Sequence, residues 1–104
     1  ATDANFKEVM AKAEELGKKA VLIDFWSTTC IPCKNLAPVL DEISVQRNDL
    51  LVVKVNADDA PDLFRKNRIR SVPSLQLVVD GKVEAQTMGS MSKDQLNDWI
   101  DSNI

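Results

Sequence analysis

The seven residues Ala20–Trp26 (AVLIDFW) constrain this chain more than any other stretch. They are too few for a surface helix and too continuously apolar for a strand with one wet face. Such a run predicts a strand buried on both faces, so other layers must cover it from either side. Soon after it come Cys30-Ile31-Pro32-Cys33 and a helical pattern from about Ile31 to Gln46, with Leu36, Val39, Leu40 and Ile43 on one side. Pro38 falls inside that pattern and should kink the helix, since it removes one backbone hydrogen bond and crowds the preceding turn.

The flanking segments supply the covering layers. Phe6, Val9, Met10, Ala13 and Leu16 recur at helical spacing, which predicts a helix over about Ala4–Leu16, with Thr2 or Asp3 as its cap and Gly17 as its end. Leu50–Val55 reads as a second buried strand. Asp58–Asn67 reads as a short helix with Pro61 in its first turn and Leu63 and Phe64 turned inward. Ser74–Val79 and Lys82–Met88 read as strands joined at Asp80-Gly81, a pair suited to a two-residue hairpin turn in which both positions need positive φ. Ser92 with Gln95 fits a capping box and Met91 with Leu96 a hydrophobic staple, which starts a last helix whose inner face carries Leu96, Trp99 and Ile100. The order αβαβαββα gives an α/β fold: a mixed four-stranded sheet with helices on both faces. At 104 residues, without repeat or linker, the chain is expected to be one domain.

Composition narrows the chemistry. The 13 basic residues are scattered among 16 acidic ones, so there is no cluster to neutralise nucleic-acid phosphates. No apolar run approaches the ~18 residues of a membrane span, and no secretory signal stands at the N-terminus. The first residue is Ala1 rather than Met, which keeps location open. Histidine and tyrosine are both absent, which removes Cys–His and Ser–His nucleophilic pairs and every histidine metal site. Acid–base work near neutral pH falls to cysteine, a perturbed carboxylate or a perturbed lysine.

Cys30 and Cys33 sit between a buried strand and a helix start. A helix N-terminus carries about half a positive charge and unpaired N–H groups, so it stabilises a thiolate. Cys30, at the N-cap and the more exposed position, would have a lowered pKa and attack a disulfide. Cys33, over the same turn, can attack the resulting mixed disulfide and close the ring. C-x-x-C in a βαβ setting favours redox chemistry. Two other readings stay open: a metal shared between two copies, since a closed site needs four ligands, and a pair of inert buried cysteines.

Asp24 and Lys54 interrupt the two buried strands. If those strands pair, both charges lie where the core should be, and each must be paired, hydrated or neutralised unless it reaches water at an edge. An aspartate whose pKa is raised by burial can accept a proton from Cys33 as it attacks and return it later.

The stretch Asp24-Phe25-Trp26-Ser27-Thr28-Thr29-Cys30-Ile31-Pro32-Cys33-Lys34 resembles the active-site segment of the thioredoxin family. The likeness continues through Leu36–Ile43 with Pro38, Val53–Asp58, Ile69–Ser74, Asp80-Gly81-Lys82 and Met88-Gly89, in the family's order. The resemblance implies a protein-disulfide reductase with Cys30 as nucleophile, Cys33 as resolving thiol, and Asp24 as buried proton acceptor supported by Lys54. It implies a cis Pro73 that sets the backbone of Val72 beside Cys30, where an extended substrate peptide can pair with it. Trp26, Thr29, Ile31, Ala57, Val72, Met88 and Gly89 would form the docking patch. No cofactor is implied. The partners would be a reductase-type electron donor and disulfide-bonded proteins, with neither nucleic acid nor membrane, and the compartment cytoplasmic, a periplasmic or exported form staying open. Alternative functions on the same fold are an oxidase or isomerase of exported proteins and a redox-inert binding module.

Three departures stand out. Thr29 replaces the family's usual tryptophan before the first cysteine, and Ile31 its usual glycine after it. The strand that ordinarily precedes the first helix has no counterpart, so four strands are expected, with Leu50–Val55 at an exposed edge. The expected state is a monomer; an exposed edge can recruit a second copy.

Overall fold

The computed structural model describes residues 1–104. Its elements are α1 (Phe6–Glu15), β1 (Ala20–Trp26), α2 (Ile31–Gln46), β2 (Leu50–Asn56), α3 (Pro61–Lys66), β3 (Ser74–Val79), β4 (Lys82–Met88) and α4 (Lys93–Asp101). The strands form one sheet in the order β2-β1-β3-β4. β1 runs parallel to β2 and antiparallel to β3, and β3 antiparallel to β4. β1, the most continuously apolar strand, is interior, and β2 is an edge, both as the sequence predicts.

Strand alternation sorts the core into two faces. Ala20, Leu22, Leu50, Leu75 and Leu77 pack with Leu36, Leu40 and Ile43 of α2 and Leu96 and Ile100 of α4. Val21, Ile23, Phe25, Val53, Val55 and Val78 pack on the opposite side with Ala13, and Phe6, Met10, Leu63 and Phe64 close that side from α1 and α3. Phe25 meets Phe64 edge to face, with ring centroids 5.4 Å apart, a preferred aromatic geometry. Arg47, at the C-terminus of α2, bonds Asp49 at 2.9 Å and Asp101 at 2.8 Å, tying α2 to α4.

Local signals act as their chemistry requires. Asp80 (φ 52°) and Gly81 (φ 79°) are both left-handed and turn β3 into β4. Ser92 and Gln95 form the reciprocal capping box at the start of α4.

Two element starts differ from expectation. α1 begins at Phe6 rather than Ala4, and neither Thr2 nor Asp3 caps it; Thr2 and Asn5 bond each other instead. The Asp3 carboxylate accepts from the backbone N–H groups of Asp62 (3.1 Å) and Leu63 (2.9 Å). It thus caps α3, whose own N-cap residue, Ala60, has no side-chain acceptor. α3 is correspondingly shorter than Asp58–Asn67, because the Asn56 side chain and carbonyl hold Asp58, Asp59 and Ala60 in a turn.

Candidate active site

Parallel β1 and β2 end together at Trp26 and Asn56, which are register partners. β3 starts and β4 ends at the same side, where Ser74 pairs with Met88. Chain order therefore delivers the loops after β1, β2 and β4 and the loop before β3 to one end of the sheet. Every residue expected at the site lies there or on the strand ends leading to it.

Cys30 is the N-cap of α2, and its Sγ accepts the Cys33 N–H at 3.1 Å. Pro32 occupies the first turn, where its missing N–H leaves no bond unmade. The two sulfurs are joined as a disulfide. Both cysteines are buried, Cys30 at 8% exposure and Cys33 at 4%, so the first is only slightly the more accessible. Neighbouring Ile31 is 70% exposed and projects apolar bulk beside Cys30, as the sequence implies.

The Val72–Pro73 peptide bond is cis, and Cys30 Sγ lies 3.5 Å from the Val72 carbonyl oxygen. Pro73 O accepts from Gly89 N–H at 3.0 Å, Ser74 Oγ donates to Ser71 O at 2.7 Å, and Ser71 Oγ lies 3.0 Å from Met88 Sδ. These contacts fasten the Ser71–Ser74 loop to the end of β4. Met88 itself is 69% exposed. On the other flank, Ala57 N–H donates to Trp26 O at 2.9 Å, and both residues are half-buried. Thr29 is exposed in the turn just before Cys30.

Asp24 lies on the sheet face that α2 covers, 3% exposed. Its Oδ1 is the one buried side-chain polar atom without a hydrogen-bond partner. Burial raises its pKa from the ordinary 3.8 to about 6, and the positive charge of Lys54 opposes part of that rise. Lys54 is the register partner of Asp24, but the two do not form the core ion pair that the sequence implies. The ammonium reaches the sheet edge and bonds Asp41 of α2 at 2.9 Å, where both side chains are well solvated. Lys54 therefore acts on Asp24 through space. β2 is an edge strand, so a long lysine stem can leave the interior there, whereas the short aspartate on central β1 cannot. The sequence carries no signal of what Asp41 meets: it is one more polar residue on the outer side of α2.

A hollow of about 470 Å³ at the opposite end of the sheet, beside Met10, Lys19 and Gly81, contains none of the expected site residues.

A redox-bonded cysteine pair on a helix N-terminus, facing a cis-proline loop across a βαβ unit, matches the resemblance read from the sequence, and direct comparison decides it. A family model described as Thioredoxin matches residues 1–102. The chain belongs to the thioredoxin family. It is 42% identical over 104 residues to a protein named Thioredoxin from Pseudomonas aeruginosa, covering 99% of this chain and 93% of that one. It is 39% identical to Thioredoxin from Buchnera aphidicola subsp. Baizongia pistaciae over 100 residues, covering 95% and 88% of the two chains. It is also 39% identical to Thioredoxin C-2 from Corynebacterium nephridii, covering 99% and 93%. Membership of the thioredoxin family makes the chain a thiol–disulfide oxidoreductase with protein-disulfide reductase activity, its Cys30–Cys33 pair in the disulfide state. The family implies a reductase donor and disulfide substrates. No helix is long and apolar enough to cross a membrane.

Proposed function

We propose that Cys30 is the attacking thiolate, Cys33 the resolving thiol and Asp24 the proton acceptor of the reductase cycle. In the reduced state the Cys33 N–H and the α2 N-terminus favour the Cys30 thiolate. That thiolate attacks one sulfur of a substrate disulfide; the substrate S–S bond breaks as the Cys30–substrate bond forms, and one substrate sulfur leaves to take up a proton. Asp24 accepts the Cys33 proton, and the Cys33 thiolate attacks Cys30 Sγ. The Cys30–Cys33 disulfide forms, the Cys30–substrate bond breaks, and the second substrate sulfur leaves as a thiol with the proton that Asp24 returns, so two electrons have passed to the substrate. A dithiol-regenerating reductase then returns two electrons and two protons. Trp26, Thr29, Ile31, Ala57, Val72, Pro73, Met88 and Gly89 frame the substrate strand, with the Val72 backbone pairing with it. Lys54 tunes Asp24 from a distance. We assign this cycle to one domain acting as a monomer in the cytoplasm, without a cofactor.

The observation that carries the reading is the Cys30–Cys33 disulfide on the α2 N-cap, 3.5 Å from the Val72 carbonyl. Cys33→Ser should accumulate a covalent complex with a disulfide-bonded substrate, released by dithiothreitol and visible on a non-reducing gel. Cys30→Ser should accumulate none. Equal trapping by both variants would contradict the assignment.

A further inference from the structure

The active end of the sheet is electrostatically lopsided. Beyond the β2 side stand the exposed carboxylates of Asp58 and Asp59. Beyond the β3–β4 side runs a groove of about 710 Å³ whose walls include Arg68, Arg70, Ser71, Gln86, Thr87 and Met88, with no carboxylate among its lining residues. Arg47 and Arg65, the chain's other arginines, are both in ion pairs, while Arg68 and Arg70 are in none. Arg68 also occupies a position that backbone energetics reserve for glycine. Its φ is +56°, it follows the last turn of α3, and Ile69 N–H donates back to Phe64 O at 2.9 Å, the closure of a helix that ends in a left-handed residue. An arginine there costs stability that glycine would not.

We propose that this groove docks an acidic stretch beside the disulfide of a substrate protein, with Arg68 and Arg70 as its charge contacts. The geometry fits: Arg70 is two residues from Val72, whose carbonyl adjoins Cys30, so the backbone keeps its Cα within about 7 Å of that of Val72, and that of Arg68 within about 14 Å. Acidic residues a few positions from the attacked cysteine reach both. In a chain of net charge −3, such a substrate is repelled by the Asp58–Asp59 side and drawn to the arginine side, which fixes the direction in which its strand crosses the cysteines. The proposal rests on Cys30–Cys33 being the reacting pair.

The test uses two peptides with the same disulfide, one flanked by two glutamates and the other by two glutamines, reduced by the intact protein with dithiothreitol as electron source. The expected result is a preference of about three- to tenfold in kcat/KM for the glutamate peptide at low salt, shrinking at high salt. Arg68→Gly with Arg70→Gln should abolish that preference, and Arg68→Gly alone should halve it or more while leaving the thermal midpoint unchanged or raised. Equal rates on the two peptides by the parent, a preference unchanged in the double variant, or a lowered midpoint in Arg68→Gly would overturn the proposal. Failure to reduce either peptide would instead indict the reading of the cysteine pair.

Discussion

Two polar side chains are buried in the sheet, one on each face. Gln76 of β3 looks toward α1 and α3; Asp24 of β1 lies on the face that α2 and α4 cover. Gln76 is neutral, and its Nε2 donates to Asn67 Oδ1 at 3.4 Å. Asp24 is ionisable and has an oxygen with no partner. A buried polar group that is hydrogen-bonded serves the fold, whereas one left unsatisfied opposes it. The proposed role of Asp24 as proton acceptor gives the unsatisfied carboxylate a use that the satisfied Gln76 does not need.

The largest test of that contrast is Asp24→Asn. Disulfide reduction at pH 7 should fall on the order of 10²-fold, the usual worth of a positioned proton acceptor. The same variant should be more stable than the parent at pH 8, by up to about 3 kcal/mol from the raised pKa, as read from urea midpoints. Loss of both activity and stability would make Asp24 an ordinary structural residue.

The sign of the pH dependence follows from the same shift. The folded chain binds the Asp24 proton more tightly than the unfolded chain, because its pKa rises from 3.8 to about 6. The stability from this group is therefore complete below about pH 4 and lost as pH rises through about 6. Comparing urea unfolding of the parent and Asp24→Asn across pH 4–8 should show the parent alone falling through this group, while its reductase rate rises over the same range as Asp24 becomes able to accept a proton.

Gln76→Leu sharpens the other half. It removes one long hydrogen bond and buries apolar atoms in its place, so stability should change by about 1 kcal/mol or less and reductase activity by less than about twofold. A large activity loss would mean that the α1/α3 face takes part in the chemistry.

The smallest effects concern Lys54. Lys54→Met should raise the Asp24 titration midpoint, since the lysine charge lowers it. Asp41→Asn, which frees the ammonium from its tether, should lower it by a few tenths of a unit, the scale of an exposed ion pair. Carbon-detected titration of the Asp24 carboxyl reads both, and a shift in the opposite direction for Lys54→Met would remove Lys54 from the site.

Most of this architecture is legible in the residues because local signals agree with the global fold. The apolar run of β1, the Asp80-Gly81 turn and the Ser92–Gln95 box each specify one conformation on their own. The cysteine pair is legible for the same reason: strand, C-x-x-C and helix are contiguous. What the sequence hid depends on contacts across long separations. Asp3 lies before α1 yet caps α3, far along the chain. Lys54 and Asp24 have the pattern of a core pair, but the sheet order puts β2 at an edge, and the edge lets lysine leave. Arg68 gave no signal because a left-handed arginine has none in sequence.

The central claim, a reversible dithiol/disulfide that hands electrons to substrates, is tested most directly by a redox titration. The protein is equilibrated in dithiothreitol and glutathione buffers of set potential, and its free thiols are trapped and counted. The account predicts one two-electron transition confined to Cys30 and Cys33, with a midpoint near thioredoxin's −270 mV and below about −230 mV. A midpoint above about −200 mV, or no reversible transition, would contradict it.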